Sequence, residues 1–200
     1  MGDAMNFTYP EGATPLEYEE LLQLIPPHIT TQTELNLWEQ NNILLAERWA
    51  FKKKQILSAE FVQKLHQKMF DKTWKWAGQY RHSEKNIGIK WPYISIEVKK
   101  LCDDVLYQIQ HQSYSLEEIA VRLHHRLVWI HPFPNGNGRH ARLVADFMVL
   151  QHEYPRFSWG RNQGVGSDLY HATPVREQYI KALRQADQHD YSFLIEFARS

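Results

Sequence analysis

The sequence predicts an all-α fold carrying one small β-hairpin flap. Three observations support this. Apolar residues recur at mixed three- and four-residue spacings through most of the 200-residue chain. The one segment that mixes aromatic and β-branched residues with Gly, Asn and Pro is short, near residues 78–96. Strands do not alternate with helices as a parallel sheet requires, and no internal repeat is visible.

Taken in order, Leu16, Leu21, Leu22 and Ile25 share a helical face that Pro26 and Pro27 terminate. Leu35, Trp38, Ile43, Leu45, Ala46 and Trp49 predict a long amphipathic helix over residues 33 to about 53, starting at one of Thr30, Thr31 or Thr33. Ser58 is placed to cap a third helix with Phe61, Val62, Leu65, Met69 and Phe70 on its apolar side. Over residues 78–96, Tyr80, Ile87, Ile89, Trp91, Tyr93, Ile94 and Ile96 interleave with Asn86, Gly88 and Pro92, which predicts a hairpin or extended flap. Helical spacing resumes at Val98, Leu101, Val105, Leu106 and Ile109. Ser115 with Glu118 then forms a capping-box pattern ahead of Ile119, Leu123, Leu127, Val128 and Ile130. Leu143, Val144, Phe147, Met148 and Leu150 predict another helix, residues 155–166 a loop, and residues 175–186 and 192–198 two closing helices.

At 43% hydrophobic and this length, the chain suits one domain with a real core. Lys plus Arg (23) equals Asp plus Glu (23), so no global field exists to hold nucleic acid or an anionic membrane, and anion affinity must be local. The lone Cys102 rules out an internal disulfide and a cysteine zinc cluster. The start lacks the apolar stretch of a secretory signal, and no apolar run approaches a membrane span, so a soluble cytoplasmic protein is expected. Eleven histidines do not make a metal site: neighbours such as His124 and His125 point to different helix faces, so they do not pair as ligands.

The segment from His131 through Pro132, Phe133, Pro134, Asn135, Gly136, Asn137, Gly138, Arg139, His140 and Ala141 to Arg142 lies between two helices, so the chain turns sharply and offers a fresh helix N-terminus. Gly136 and Gly138 let a ligand approach the backbone, and Asn137 tolerates a left-handed conformation or caps the helix. A nest of donors at the positive end of a helix favours phosphate. Arg139 and Arg142, three apart, both reach anionic oxygens. His131, at the end of the preceding helix and anchored by Pro132 and Phe133, has an ordinary pKa that leaves it neutral near pH 7 and able to remove a hydroxyl proton.

At these residues the sequence resembles the Fic/Doc family. That signature reads His-Pro-Phe, any residue, Asp or Glu, Gly-Asn, Gly or Lys, Arg, two further residues, Arg; it matches at His131, Pro132, Phe133, Gly136, Asn137, Gly138, Arg139 and Arg142. His124 resembles part of the family's lead-in helix, and Asn86, Ile87, Gly88 and Ile89 resemble its target-aligning hairpin. The phrases HPFPNGNGRHARL and FSWG, with EGATPL, resemble the subgroup called mobile mystery protein B. The resemblance implies a single Fic-type domain over 1–200, with N-terminal helices to residue 50 and a helical core from 51 to 200. It further implies an adenylyltransferase: a target protein's hydroxyl attacks the α-phosphate of ATP, AMP is joined to Ser, Thr or Tyr, and pyrophosphate leaves. His131 is then the base, the Gly136–Gly138 backbone holds phosphates, and Arg139 and Arg142 contact the β- and γ-phosphates. Where the family carries an acid for Mg2+, this chain has Asn135, a neutral oxygen ligand that binds a hard cation more weakly. The subgroup resemblance also implies a helix-turn-helix companion protein.

Rival readings are a nucleotide-binding Fic fold without transfer, which Asn135 favours and intact His131 opposes, a de-AMPylase, and a transferase of another phosphate-containing group. Many relatives also carry an inhibitory helix marked by Ser or Thr, three residues, Glu, then Gly or Asn. Thr30 with Glu34 resembles it, although Leu35 departs from the pattern, so Glu34 is the expected partner of Arg142. Glu196, four residues after Ser192, is the rival, and a simple N-terminal helix glutamate is the alternative for Glu34.

Overall fold

A computed structural model describes residues 12–163, 169, 171 and 173–200 of the chain. Its order is α1 (Tyr18–Leu21), α2 (Gln32–Ala50), α3 (Ala59–Phe70), a 3-10 turn at Trp91–Tyr93, α4 (Ile94–Gln110), α5 (Leu116–Ile130), α6 (Asn137–Gln151), a 3-10 turn at Arg161–Gln163, α7 (Pro174–Ala186) and α8 (Ser192–Arg199). Part of the expected loop at 155–166, and the leader before Gly12, lie outside the described residues.

Local sequence sets most boundaries. Thr31 caps α2, accepting from Glu34 N–H, and Glu34 returns the bond to the Thr31 N–H, so the capping box selects Thr31 among the three candidate threonines. Ser58, Ser115 and Thr173 cap α3, α5 and α7 by accepting from an N–H three residues on, without the return bond; the Glu118 carboxylate expected to complete a box with Ser115 pairs with Arg122 instead. The first helix is shorter than its apolar pattern. Residues beyond Leu21 pair with the chain after α3 instead: Ile25 N–H donates to Thr73 O at 2.8 Å and Lys75 N–H to Gln23 O at 3.0 Å, around an isolated Leu24–Trp74 bridge. Tertiary backbone bonds outcompete one more helical turn there.

The expected β-hairpin does not form. No strand occurs among the described residues; residues 81–90 run as an extended, bent loop, and residues 94–96 already belong to α4. The loop's polar backbone bonds elsewhere: Ile89 N–H donates to Ile130 O, and Arg81, buried to 2% exposure, takes the Ile89 carbonyl. With one side bonded to the end of α5 and the other to a side chain, no ladder partner is needed.

The helix α5 packs against α4, α6 and α8, while α3 bridges α2, α4 and α6. Val121, Leu127, Ile130, Phe133, Ala141, Val144 and Met148 form the centre of the core at and beside the α5–α6 turn. That turn is therefore fixed by burial on both flanks. No helix among the described residues is long and apolar enough to cross a membrane.

Candidate active site

His131 is the C-cap of α5 and takes a left-handed conformation (φ 53°, ψ 60°), which costs a non-glycine residue on the order of 1 kcal/mol. Arg81 holds it there. Its Nε donates to the His131 carbonyl at 2.7 Å, one Nη to Ser83 O at 2.7 Å and the other to Ile89 O, while the Arg81 N–H donates to Pro132 O at 2.9 Å. One guanidinium thereby ties the histidine's backbone to the 81–89 loop. Gly88 lies against the same spot: a Cβ on it would come within 2.6 Å of the His131 Cβ, and its φ of +101° suits glycine alone.

The turn itself is stitched by its own polar side chains. Asn137 accepts from Phe133 N–H at 2.9 Å and donates to Phe133 O at 2.8 Å, so its side chain closes the loop and leaves only its backbone for a ligand. Gly136 starts α6 at φ +78°, and a Cβ there would meet the Phe70 ring at 2.5 Å. His66 braces the loop from α3. Gly78 N–H donates to its Nδ1 at 3.0 Å, so Nε2 carries the proton and donates to Asn135 O at 3.0 Å. Burial, then the neighbouring His140, hold His66 well below the usual imidazole range. His140 faces the core, donating to Val62 O at 2.9 Å, and does not border the cavity.

The N-terminus of α6 is built for an anion. No side chain caps it and its first turn holds no acidic residue, although Arg139 lies there, where a cation opposes the helix dipole by about 0.3–1 kcal/mol. A cavity of about 520 Å³ opens on this end, bordered by Gly136, Asn137, Gly138, Arg139, Arg142 and His131, with Arg176 and Arg184 of α7 facing it from across. That is the volume of a nucleotide-sized site. Tyr179 steadies Arg142 from α7, its ring 5.3 Å away, while its hydroxyl bonds to His124 Nε2 at 3.0 Å. Asp146, four residues after Arg142, belongs instead to Arg156 and Trp159.

His131 borders the cavity as a neutral imidazole. Burial chiefly, then the Arg81 and Lys85 charges, lower its pKa to about 4, with the Val128 carbonyl acting in opposition. Its Nε2 is 3.0 Å from the Thr14 hydroxyl.

Two of the expected residues meet other partners. The Glu34 carboxylate is consumed at the start of α2 by the Thr30 and Thr31 N–H groups, both at 3.0 Å, which lower its pKa; no contact with Arg142 accompanies them. Glu196 is exposed on α8. The α2 carboxylate that reaches the loop is Glu39, which pairs with Arg139 and accepts from Trp74 Nε1 at 2.7 Å. The sequence carried a signal for it, since Leu35, Glu39, Asn42, Ala46 and Ala50 follow the spacing of a buried face and an acid on that face needs a partner. Asn135 likewise does not fit a Mg2+ ligand. Its Oδ1 accepts from Gly136 N–H at 2.7 Å and stands 3.3 Å from an Arg139 Nη, while its Nδ2 donates to Thr14 O at 3.2 Å. A cation at that oxygen would meet an occupied lone pair and a guanidinium. Among the described residues no cluster of three or more His, Cys, Asp or Glu is arranged to hold a metal.

Residues 86–89, expected to align targets, lie beside the cavity, with Ile87 and Gly88 bordering it and Asn86 exposed. Arg81, Thr14 and Lys85 had no recognisable signal, because each acts through contacts distant in sequence.

Residues 56–149 match the Fic/DOC family. A protein adenylyltransferase Fic from Drosophila mojavensis is 32% identical over 88 residues, 43% of this chain and 15% of that protein. A uridine 5'-monophosphate transferase from Xanthomonas campestris pv. campestris (strain 8004) is 50% identical over 38 residues, 19% of this chain and 7% of that protein. The chain thus spans under a fifth of the length of either relative. Among solved structures, Bartonella tribocorum BepC with bound AMPPNP aligns over 92% of this chain and 97% of that one at 18% identity and a TM-score of 0.62. Fic-1 from C. elegans aligns over 90% and 52% at 17% identity and a TM-score of 0.63. These structural likenesses establish the fold, and the sequence match over residues 56–149, just under half of the chain, is a similarity to the Fic/DOC family.

Proposed function

We propose that this chain is a nucleotidyltransferase that moves AMP from ATP to a hydroxyl side chain of a target protein. The observation that carries the reading is the meeting, in one 520 Å³ cavity, of a neutral His131 with an uncapped helix N-terminus and the guanidinium groups of Arg139 and Arg142. The amides of α6 and the two arginines bind the polyphosphate, and their preorganised charge stabilises what develops on the phosphoryl oxygens. His131 Nε2 takes the hydroxyl proton, with Arg81 keeping the ring's backbone in place. Charge neutralisation rests on guanidinium groups here, since the Asn135 environment does not fit Mg2+. The names of the Drosophila relative and of the AMPPNP-bound neighbour support ATP. The Xanthomonas relative's name supports testing UTP beside it.

In this reading Glu39, rather than Glu34, is the self-inhibitory acid, because it occupies the Arg139 guanidinium that the phosphates need. The remaining proposals are a target seated along residues 86–89, a cytoplasmic setting and a helix-turn-helix companion.

The test is incubation of the full chain with α-labelled ATP or UTP and a cell lysate. Label on protein with wild type, and loss of label in His131→Ala with nucleotide affinity retained, is the expected result. Bound nucleotide with no labelled protein in any arm would make the chain a binding module. Equal labelling by His131→Ala would remove His131 from the base role.

A further inference from the structure

We propose that Thr14 is a modification site of this protein, the cis acceptor on which its own active site acts. The inference rests on the transferase reading above. Residues 12–17 form a strap along one wall of the cavity, and Thr14 within it is held from both ends. At one end Gly12 packs on Ile180 of α7 so tightly that a Cβ would fall 2.8 Å from Ile180 Cδ1. At the other, Glu17 accepts from Ser83 Oγ at 2.9 Å and from Lys85 Nζ at 3.0 Å, and Lys85 also pairs with Glu20 at 2.6 Å. Lys85 belongs to the loop that Arg81 fastens to His131, so the strap, the loop and the base form one connected unit.

Between these anchors Thr14 is buried at 6% exposure, its Oγ1 is 3.0 Å from His131 Nε2 and its carbonyl accepts from Asn135 at the start of the anion-binding turn. With the ring proton on Nδ1, beside the Val128 carbonyl, the hydroxyl donates to Nε2. A hydroxyl donating to a neutral imidazole, at the edge of a polyphosphate cradle and shielded from water, is the ground-state arrangement of a nucleophile. The strap borders the cavity without filling it, because Gly12, Ala13 and Thr14 form a wall of the same 520 Å³ space.

The Thr14 Oγ attacks the α-phosphorus of a nucleoside triphosphate, the new O–P bond forms as the bond to the bridging β-oxygen breaks, pyrophosphate leaves and the hydroxyl proton passes to His131 Nε2. Intramolecular presentation gives the acceptor an effective concentration far above that of a free protein target. Once esterified, Thr14 no longer donates to His131, and the strap must leave its place; the first turnover therefore changes what covers the site.

The experiment uses this 200-residue chain as wild type and as Glu39→Gln, incubated with ATP and read by intact mass and peptide mapping, with ATP binding measured in parallel. The expected result is one adenylyl group on Thr14, at a first-order rate unchanged by protein dilution, retained in Thr14→Ser and absent from Thr14→Val and His131→Ala. Adenylyl label on a different residue, or equal label in Thr14→Val, overturns the proposal. So does bound ATP with label on lysate proteins and none on Thr14 in either background, a result that leaves the transferase reading standing. Failure to bind ATP or to label any protein in either background overturns both.

Discussion

The two glycines of the turn should respond to alanine in opposite ways, and the difference can be worked from their surroundings. At Gly136 the backbone has φ +78°, where a side chain costs roughly 1–2 kcal/mol, and the new Cβ would stand 2.5 and 2.6 Å from two carbons of the Phe70 ring. Phe70 is 1% exposed and cannot swing away, so overpacking adds about 1–3 kcal/mol. Gly136→Ala should therefore lose about 2–5 kcal/mol, a fall in Tm of roughly 5–15 °C for a chain of this length. Gly138 is the reverse case. It lies inside the first turn of α6 without a positive φ, and its Cβ would meet only Arg142 Nη1 at 3.5 Å and Tyr179 Oη at 3.6 Å, ordinary contacts. Helix propensity then favours alanine by about 0.5–1 kcal/mol. The added methyl, however, enters the space between the amides of α6 and Arg142, where phosphate is expected. Gly138→Ala should melt at or slightly above wild type yet bind ATP at least tenfold more weakly. Thermal melts and fluorescent-nucleotide titrations of the same samples read both effects. If Gly138→Ala binds ATP as wild type does, the phosphates do not lie on this turn. If Gly136→Ala melts normally, the turn is not fixed by Phe70.

Acid should destabilise the fold through its buried histidines. Burial lowers the pKa of His131 and of His140 to about 4 and that of His66 and His124 well below the ordinary value. Each is neutral in the fold and protonates near 6.5 when unfolded, so the unfolded chain binds more protons and stability falls as pH drops from about 6.5 toward 4. At pH 5 the loss is about 2 kcal/mol for each of His131 and His140, with the other two acting in the same direction. Denaturant titrations at pH 7.5 and pH 5 check this, and equal or greater stability at pH 5 would contradict it. Glu39→Gln should raise ATP affinity by about tenfold, the equivalent of ~1.4 kcal/mol, by releasing Arg139 to phosphate. Glu34→Gln should leave that affinity unchanged, since a glutamine at this position still closes the capping box with Thr31 and never touched Arg139. Titration of both variants with the same nucleotide distinguishes the two acids.

What could be read from the sequence follows the range over which each contact acts. Caps, apolar faces and the His131–Arg142 turn are set by neighbours within a few residues, and the structure reproduces them. Thr31, Ser58 and Ser115 stand where their caps predict. The hairpin expected at residues 78–96 failed because the segment is held by two long-range bonds, from Ile89 N–H to Ile130 O and from Arg81 to His131 O, that no local pattern encodes. Glu34 and Glu39 show the same division more sharply. A short motif search selects Glu34, yet the residues next to it already satisfy that carboxylate, and a satisfied carboxylate has little left to offer an arginine 108 positions away. Glu39 matches no short motif, but its place on the inward face of α2, among Leu35, Ala46 and Ala50, brings a charge into the core side of the helix. Burial of that charge without a cation would cost several kcal/mol, so Arg139 is not an incidental neighbour but the condition for Glu39 being there at all. A nucleotide that took Arg139 would leave the Glu39 carboxylate without its cation and draw that side chain toward water. The resting site and a loaded site would therefore differ in where α2 keeps one side chain, which would link occupancy of the α6 N-terminus to the N-terminal helix.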